Sequence, residues 1–121
     1  MAKLLMAVRS EILSTALAEI LTQYEVYSCH TGADALTLLD TLRPDIFIME
    51  LSLPVFSGLS VLQRTRYTPP VILALTNLIS EKVLQAAADA GVLDMILLPC
   101  SARRIIRHLE TLVQKIPAPE G

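Results

Sequence analysis

Five short apolar stretches punctuate the chain, at residues 3–8, 25–29, 45–51, 71–75 and 94–98. Each is bounded by turn or capping residues, as expected of strands buried on both faces. Between them the apolar positions recur at helical spacing. Ser10 caps a helix running through residue 22, with Leu13, Leu17, Ile20 and Leu21 on one side. The 25–29 stretch is short and reads as an edge strand. Thr31 and Asp34 loosely match a capping box before a helix over 33–42, which Arg43-Pro44 ends. A third helix is predicted from Gly58 to about Tyr67, stopped by Thr68-Pro69-Pro70. Ser80 caps a fourth over 81–90, closed by Gly91. Ser101 starts the last, with Ile105, Ile106, Leu109, Leu112 and Val113 on one side.

Strand and helix therefore alternate five times through short connections. That pattern predicts an α/β domain: a doubly wound, five-stranded parallel sheet with helices on both faces. One domain is expected over residues 1–116. Residues 117–121, Pro-Ala-Pro-Glu-Gly, read as a tail or the start of a linker.

The third stretch organises the others. PDIFIMELSLPVFSG, residues 44–58, carries one carboxylate, Glu50, inside an otherwise apolar run. A buried strand tolerates a charge only where it meets water, so Glu50 marks the strand's C-terminal end. In open α/β sheets that edge holds the ligand site. The same rim receives Val8-Arg9, Cys29-His30, Thr76-Asn77 and Leu98-Pro99 from the other strands.

Composition mainly excludes. With 53% hydrophobic residues, global disorder is ruled out, and a net charge of −2 gives no electrostatic footprint for nucleic acid. Aromatics at 4%, without tryptophan, leave no platform for stacking bases. No apolar run is long enough to span a membrane, and the first ten residues read as a strand rather than a signal peptide. Cys29 and Cys100 are expected as free thiols in a reducing cytoplasm. His30 and His108 lack zinc-ligand spacing. The four glycines form neither a dinucleotide nor a P-loop frame, and no G-x-S-x-G is present. A Cys100–His108–Asp94 triad is disfavoured, because His108 lies on a helix leading away from the rim.

The residues at the rim carry a resemblance. PDIFIMELSLPVFSG, VILALTN and AADAGVLDMILLPCS resemble the receiver domain of two-component response regulators, a flavodoxin-like fold, over residues 3 to 115. The resemblance places the family's phospho-accepting Asp on Glu50. Its metal-holding acidic pair falls on Val8 and Arg9, and its Lys before the last-strand Pro falls on Leu98. The strand-five aromatic falls on Met95 and the Asp before the loop Gly on Ser57, while Thr76 and Pro99 match. What this implies is a degenerate receiver, not an enzyme, without a magnesium site or other cofactor. It would work independently of phosphorylation through contacts with an output domain, a histidine kinase, another regulator or a second copy of itself. Contact of this domain with nucleic acid or membrane is not expected.

Glu50 keeps two readings: a built-in mimic of the phosphorylated state, bonded to the Thr76 hydroxyl, or a solvated rim carboxylate. Arg9 is expected either to pair Glu50 through its guanidinium or to point to solvent. Arg103, Arg104, Arg107 and Lys115 form either a solvated face or, with Asp89 and Asp94, an interface built on the fourth helix, fifth strand and fifth helix. The alternative functions are a receiver phosphorylated on Glu50 and a flavodoxin-like binder of a small ligand.

Overall fold

The structure is a computed structural model and describes residues 1–114. Lys115, the predicted boundary at residue 116 and the tail 117–121 lie outside the described residues. Strands β1 (Lys3–Ala7), β2 (Glu25–Cys29), β3 (Ile46–Glu50), β4 (Val71–Thr76) and β5 (Asp94–Leu97) alternate with helices. These are α1 (Glu11–Ile20), α2 (Gly32–Leu42), α3 (Gly58–Arg64), α4 (Glu81–Asp89) and α5 (Ala102–Gln114). The strands pair in parallel in the order β2-β1-β3-β4-β5. The expected doubly wound sheet is thus present, with β2 on one edge.

Side-chain alternation along the central strands builds two cores. Leu4, Met6, Ile46, Ile48, Leu73 and Leu75 point to one face, where Leu17 of α1 and Ile105, Leu109 and Leu112 of α5 cover them. Leu5, Ala7, Phe47, Met49, Ile72 and Ala74 point to the other, under Leu39 of α2, Val61 of α3 and Ala87 of α4. Burying one such large side chain stabilises the fold by about 1.5–3 kcal/mol. This double burial explains why the strands read as continuous apolar runs.

Every helix begins at a hydroxyl. Ser10, Thr31, Ser57 and Ser80 each accept the backbone N–H three residues on. Ser101 does the same for Arg104. Each such cap contributes about 1 kcal/mol and sets where the chain leaves the rim. Gly91, in the left-handed region at φ 98°, closes α4 as expected.

Several boundaries differ from expectation, most by a single residue, and three of the shifts have a visible physical cause. α1 stops at Ile20, because Leu21 leaves helical geometry and buries its side chain in the α1/α5 core. α3 stops at Arg64, not near Tyr67. The Thr65 hydroxyl and the Arg66 N–H both donate to Asp40 of α2, at 3.0 and 3.1 Å, and draw the chain out of the helix. β5 ends at Leu97, since Pro99 has no N–H with which to continue the ladder.

Candidate functional site

The chain winds from β1 outward to β2, then crosses back to β3, so the sheet reverses direction between β1 and β3. Such a reversal leaves a crevice at the C-terminal strand ends. A cleft of about 610 Å³ lies there, lined by Arg9, Glu50, Ser52, Thr76, Asn77 and Leu98 among others. Glu50 is the last residue of β3 and is half-buried, as the interrupted apolar run predicts. Two glycines hold its surroundings in place. A Cβ on Gly58 would lie 2.7 Å from the Glu50 carbonyl oxygen, and one on Gly32 would meet the Phe56 carbonyl. The N–H of Gly58 donates to Leu51 and that of Gly32 to Pro54, both at 2.9 Å. The β3–α3 loop is thereby pinned between the starts of α2 and α3. At its tip Val55 sits in the left-handed region at φ 73°, where a β-branched residue is strained.

The Glu50 carboxylate spans the crevice. Its Oε1 accepts the backbone N–H of Arg9 at 2.9 Å, tying β3 to the β1–α1 junction. The first of the two readings of Arg9, a pairing of its guanidinium with Glu50, is not made: among the described residues the one ion pair is His108 with Asp94. Arg9 is exposed, the second of its two readings, and meets Glu50 through its backbone alone. The bond from Thr76 that the mimic reading of Glu50 calls for is also absent. Thr76 is buried, and its hydroxyl donates to the Leu78 carbonyl at 3.0 Å and accepts the Leu78 N–H at 3.2 Å. That local turn consumes the hydroxyl on its own strand-to-helix loop.

The other rim positions are mostly apolar. Val8 is wholly buried in the α1/α5 core, and Leu98 packs against that core. Pro99 follows a cis peptide and is exposed. Met95 packs on the opposite core, and Ser57 is spent capping α3. His30 Nδ1 lies 2.7 Å from the Val8 carbonyl, holding β2 to β1 at the rim. Cys100 lines the cleft half-buried. Cys29 is buried, and desolvation raises its thiol to about 11. Among the described residues no cluster of three His, Cys, Asp or Glu side chains suits a metal ion.

The acids assigned to an interface already have partners. Asp94 accepts from Met95 N–H and lies 2.9 Å from His108 Nδ1, and Asp89 accepts from Gln85. Neither pairs with Arg103, Arg104 or Arg107, all of which are exposed. Asp94 and His108 do meet, yet Asp94 opens β5 whereas Cys100 follows its far end, so no triad forms. One wall of the cleft was missed from sequence: Ile12, Leu13 and Ala16 of α1 line it. The signal was available, because a cap at Ser10 forces the first turn of α1 to stand directly over the rim.

No helix among the described residues is long and apolar enough to cross a membrane. Among solved structures the fold is similar to the chemotaxis response regulator CheY4 of Vibrio cholerae, with TM-score 0.82 and 24% identity over 93% of this chain and 98% of that one. It is also similar to the N-terminal domain of an uncharacterised protein from Wolinella succinogenes, with TM-score 0.81 and 22% identity over 95% and 96% of the two chains. A curated relative, the response regulator MprA of Mycobacterium avium (strain 104), is 28% identical over 96 residues. The match takes in 76% of this chain and only 41% of that regulator. MprA of Mycobacterium sp. (strain KMS) is 28% identical over 102 residues, 81% of this chain and 44% of the relative. Residues 7–110 match the model of the response regulator receiver domain, and the chain belongs to that family.

Proposed function

We propose that this receiver domain of a two-component response regulator signals through protein contacts without accepting a phosphoryl group. The observation that carries the reading is the chemistry around Glu50. Phosphoryl transfer to a carboxylate is electrostatic work: a divalent cation neutralises the transferring oxygens and an ammonium pairs the product. Magnesium takes oxygen donors, usually with one or two carboxylates. Glu50 is the one carboxylate lining the cleft, and one of its oxygens already accepts the Arg9 amide. Val8 is sealed in the core, Arg9 brings positive charge, and Leu98 offers no donor at all. These residues do not fit the ion. Losing two preorganised contributors of about 2.7–4 kcal/mol each lowers the rate by roughly four to six decades.

The engaged Thr76 hydroxyl favours an inert rim carboxylate over a phosphorylation mimic, since the mimic requires a bond that Leu78 has taken. Contacts with an output domain, a histidine kinase or another regulator in the cytoplasm would use the α4–β5 side. There Leu84, Leu93 and Leu97 stand 45–52% exposed.

The test is intact mass after incubation with magnesium and acetyl phosphate. The wild-type chain should gain no phosphate. An adduct that disappears in Glu50→Gln overturns the reading and establishes a phosphorylatable receiver.

A further inference from the structure

Inert toward phosphate, Glu50 still carries charge into a cleft whose wall is largely apolar. The cleft, about 610 Å³, lies within the range of small-molecule sites, roughly 300–1,000 Å³. Ile12, Leu13 and Ala16 of α1 line it, with Leu98. Ile12 is 85% exposed, so most of its apolar surface faces water. The polar lining comes mainly from the strand ends: Ser52 follows β3 and Asn77 follows β4, which is its neighbour in the sheet. Both are exposed.

Two charged side chains line the cleft, one of each sign, and they do not pair. Glu50 gives Oε1 to the Arg9 amide, and among the described residues its Oε2 makes neither a hydrogen bond nor an ion pair. The Arg9 guanidinium is likewise without an acidic partner among the described residues. A half-buried carboxylate with a free oxygen beside apolar surface is under-compensated, and a cationic donor supplies what it lacks. A lone anion would meet Glu50, and a lone cation would meet Arg9. A ligand bearing both charges satisfies both. Arg9 follows β1 and Glu50 ends β3, and these are adjacent strands, about 5 Å apart. The two ligand charges must therefore lie close together.

We propose that the cleft binds a free α-amino acid with a large apolar side chain. Its ammonium, with three donors, would bond Glu50 Oε2 with Ser52 and Asn77 as further acceptors. Its carboxylate would meet the planar fork of Arg9, and its side chain would cover Ile12, Leu13, Ala16 and Leu98. Burying that bare apolar surface supplies affinity, and the paired charges supply selectivity. The ligand is then the input that a receiver without phosphorylation still needs. The inference rests on the reading that Glu50 accepts no phosphoryl group.

Two-dimensional ¹H–¹⁵N NMR of the full 121-residue chain, titrated with L-leucine and L-phenylalanine to about 10 mM, reads location and affinity together. Both should bind with Kd below about 1 mM and shift the amides of Arg9, Thr76, Asn77 and Leu98. 3-Phenylpropionate lacks the ammonium and phenethylamine lacks the carboxylate. Each should bind at least about tenfold more weakly than phenylalanine. Glu50→Gln keeps an acceptor for the Arg9 amide but removes the charge, and should weaken phenylalanine at least about tenfold. In Arg9→Gln, phenylalanine should bind no better than phenethylamine, while phenethylamine itself is not weakened. Loss of fold would weaken both alike, and circular dichroism checks it separately. Leu93→Ser, on the α4–β5 side, should bind like wild type.

The proposal is overturned by an absence of shifts at about 10 mM, or by shifts confined to residues outside the cleft. It is equally overturned if an analogue lacking either charge binds as tightly as phenylalanine, if both charge variants bind undiminished, or if Leu93→Ser abolishes binding. A phosphate adduct on Glu50 in the intact-mass test overturns the underlying reading instead, so the two failures are told apart.

Discussion

Gly58→Ala should destabilise the domain by about 1–3 kcal/mol, the usual range for forcing an extra methyl into a packed site. The added carbon would sit 2.7 Å from the Glu50 carbonyl oxygen, 3.0 Å from Met49 Sδ and 3.2 Å from Leu51 Cα. Two of those three neighbours are backbone atoms of the central strand and its exit. They cannot swing aside as a side-chain tip would. Gly58 cannot retreat either, because its N–H is bonded to the Leu51 carbonyl at 2.9 Å. The opposing effect is alanine's better helix propensity, about 1 kcal/mol in a helix interior and less in the first turn, where Gly58 lies. The steric term therefore wins. Urea unfolding followed by far-ultraviolet circular dichroism measures it. At a slope of about 1.5 kcal/mol/M the midpoint falls by roughly 0.7–2 M. Gly58→Ser should behave alike, because the clash is at Cβ. An unchanged or raised midpoint in the alanine variant would refute the account of how Glu50 is positioned.

Other outcomes follow from single features. Val55→Asn should stabilise the domain by up to about 1 kcal/mol, since it relieves left-handed strain at a side chain 72% exposed; a lower melting temperature would count against that strain. In the folded chain, iodoacetamide at pH 8 should alkylate half-buried Cys100 much faster than Cys29, whose thiol burial holds at about 11; equal rates by mass mapping contradict the burial. Stability should fall as pH rises from about 9 toward 11, the interval between the ordinary Cys29 value and its raised one. The unfolded chain releases that proton first, and Tyr24 and Tyr67, also raised mainly by burial, act in the same direction. Urea midpoints measured across that range check the sign. Asp94→Asn should cost at most about 1 kcal/mol, because its pair with His108 is more than a third exposed on both sides.

The alternation of strands and helices was legible because each strand is buried on both faces and each helix begins at a Ser or Thr. Glu50 was legible for the complementary reason, as one charge in an apolar run has few places to sit. What escaped were contacts with no local signature. The Arg9 amide that bonds Glu50 is a backbone donor, and every residue but proline carries one. The Thr76 hydroxyl has a partner two residues away and another option across the rim, and sequence does not rank them. The end of α3 depends on Asp40, some 25 positions earlier, which only the fold brings alongside. A separation of 14 positions likewise hid the His108–Asp94 pair, whose members come together because α5 folds back along β5.

The division of the core into two layers bears on the order in which the chain can be completed. The layer under α2, α3 and α4 is assembled from segments that follow one another closely. The other layer joins α1 to α5, and Leu4, Met6, Ile46, Ile48, Leu73 and Leu75 have only the α1 side of their cover, from Leu17 and Leu21, until Ile105, Leu109 and Leu112 arrive. On the ribosome, the sheet must therefore wait for its last helix to emerge with one oily side only partly covered. Nascent chains stalled before residue 102 should be the ones that chaperones hold and proteases clear.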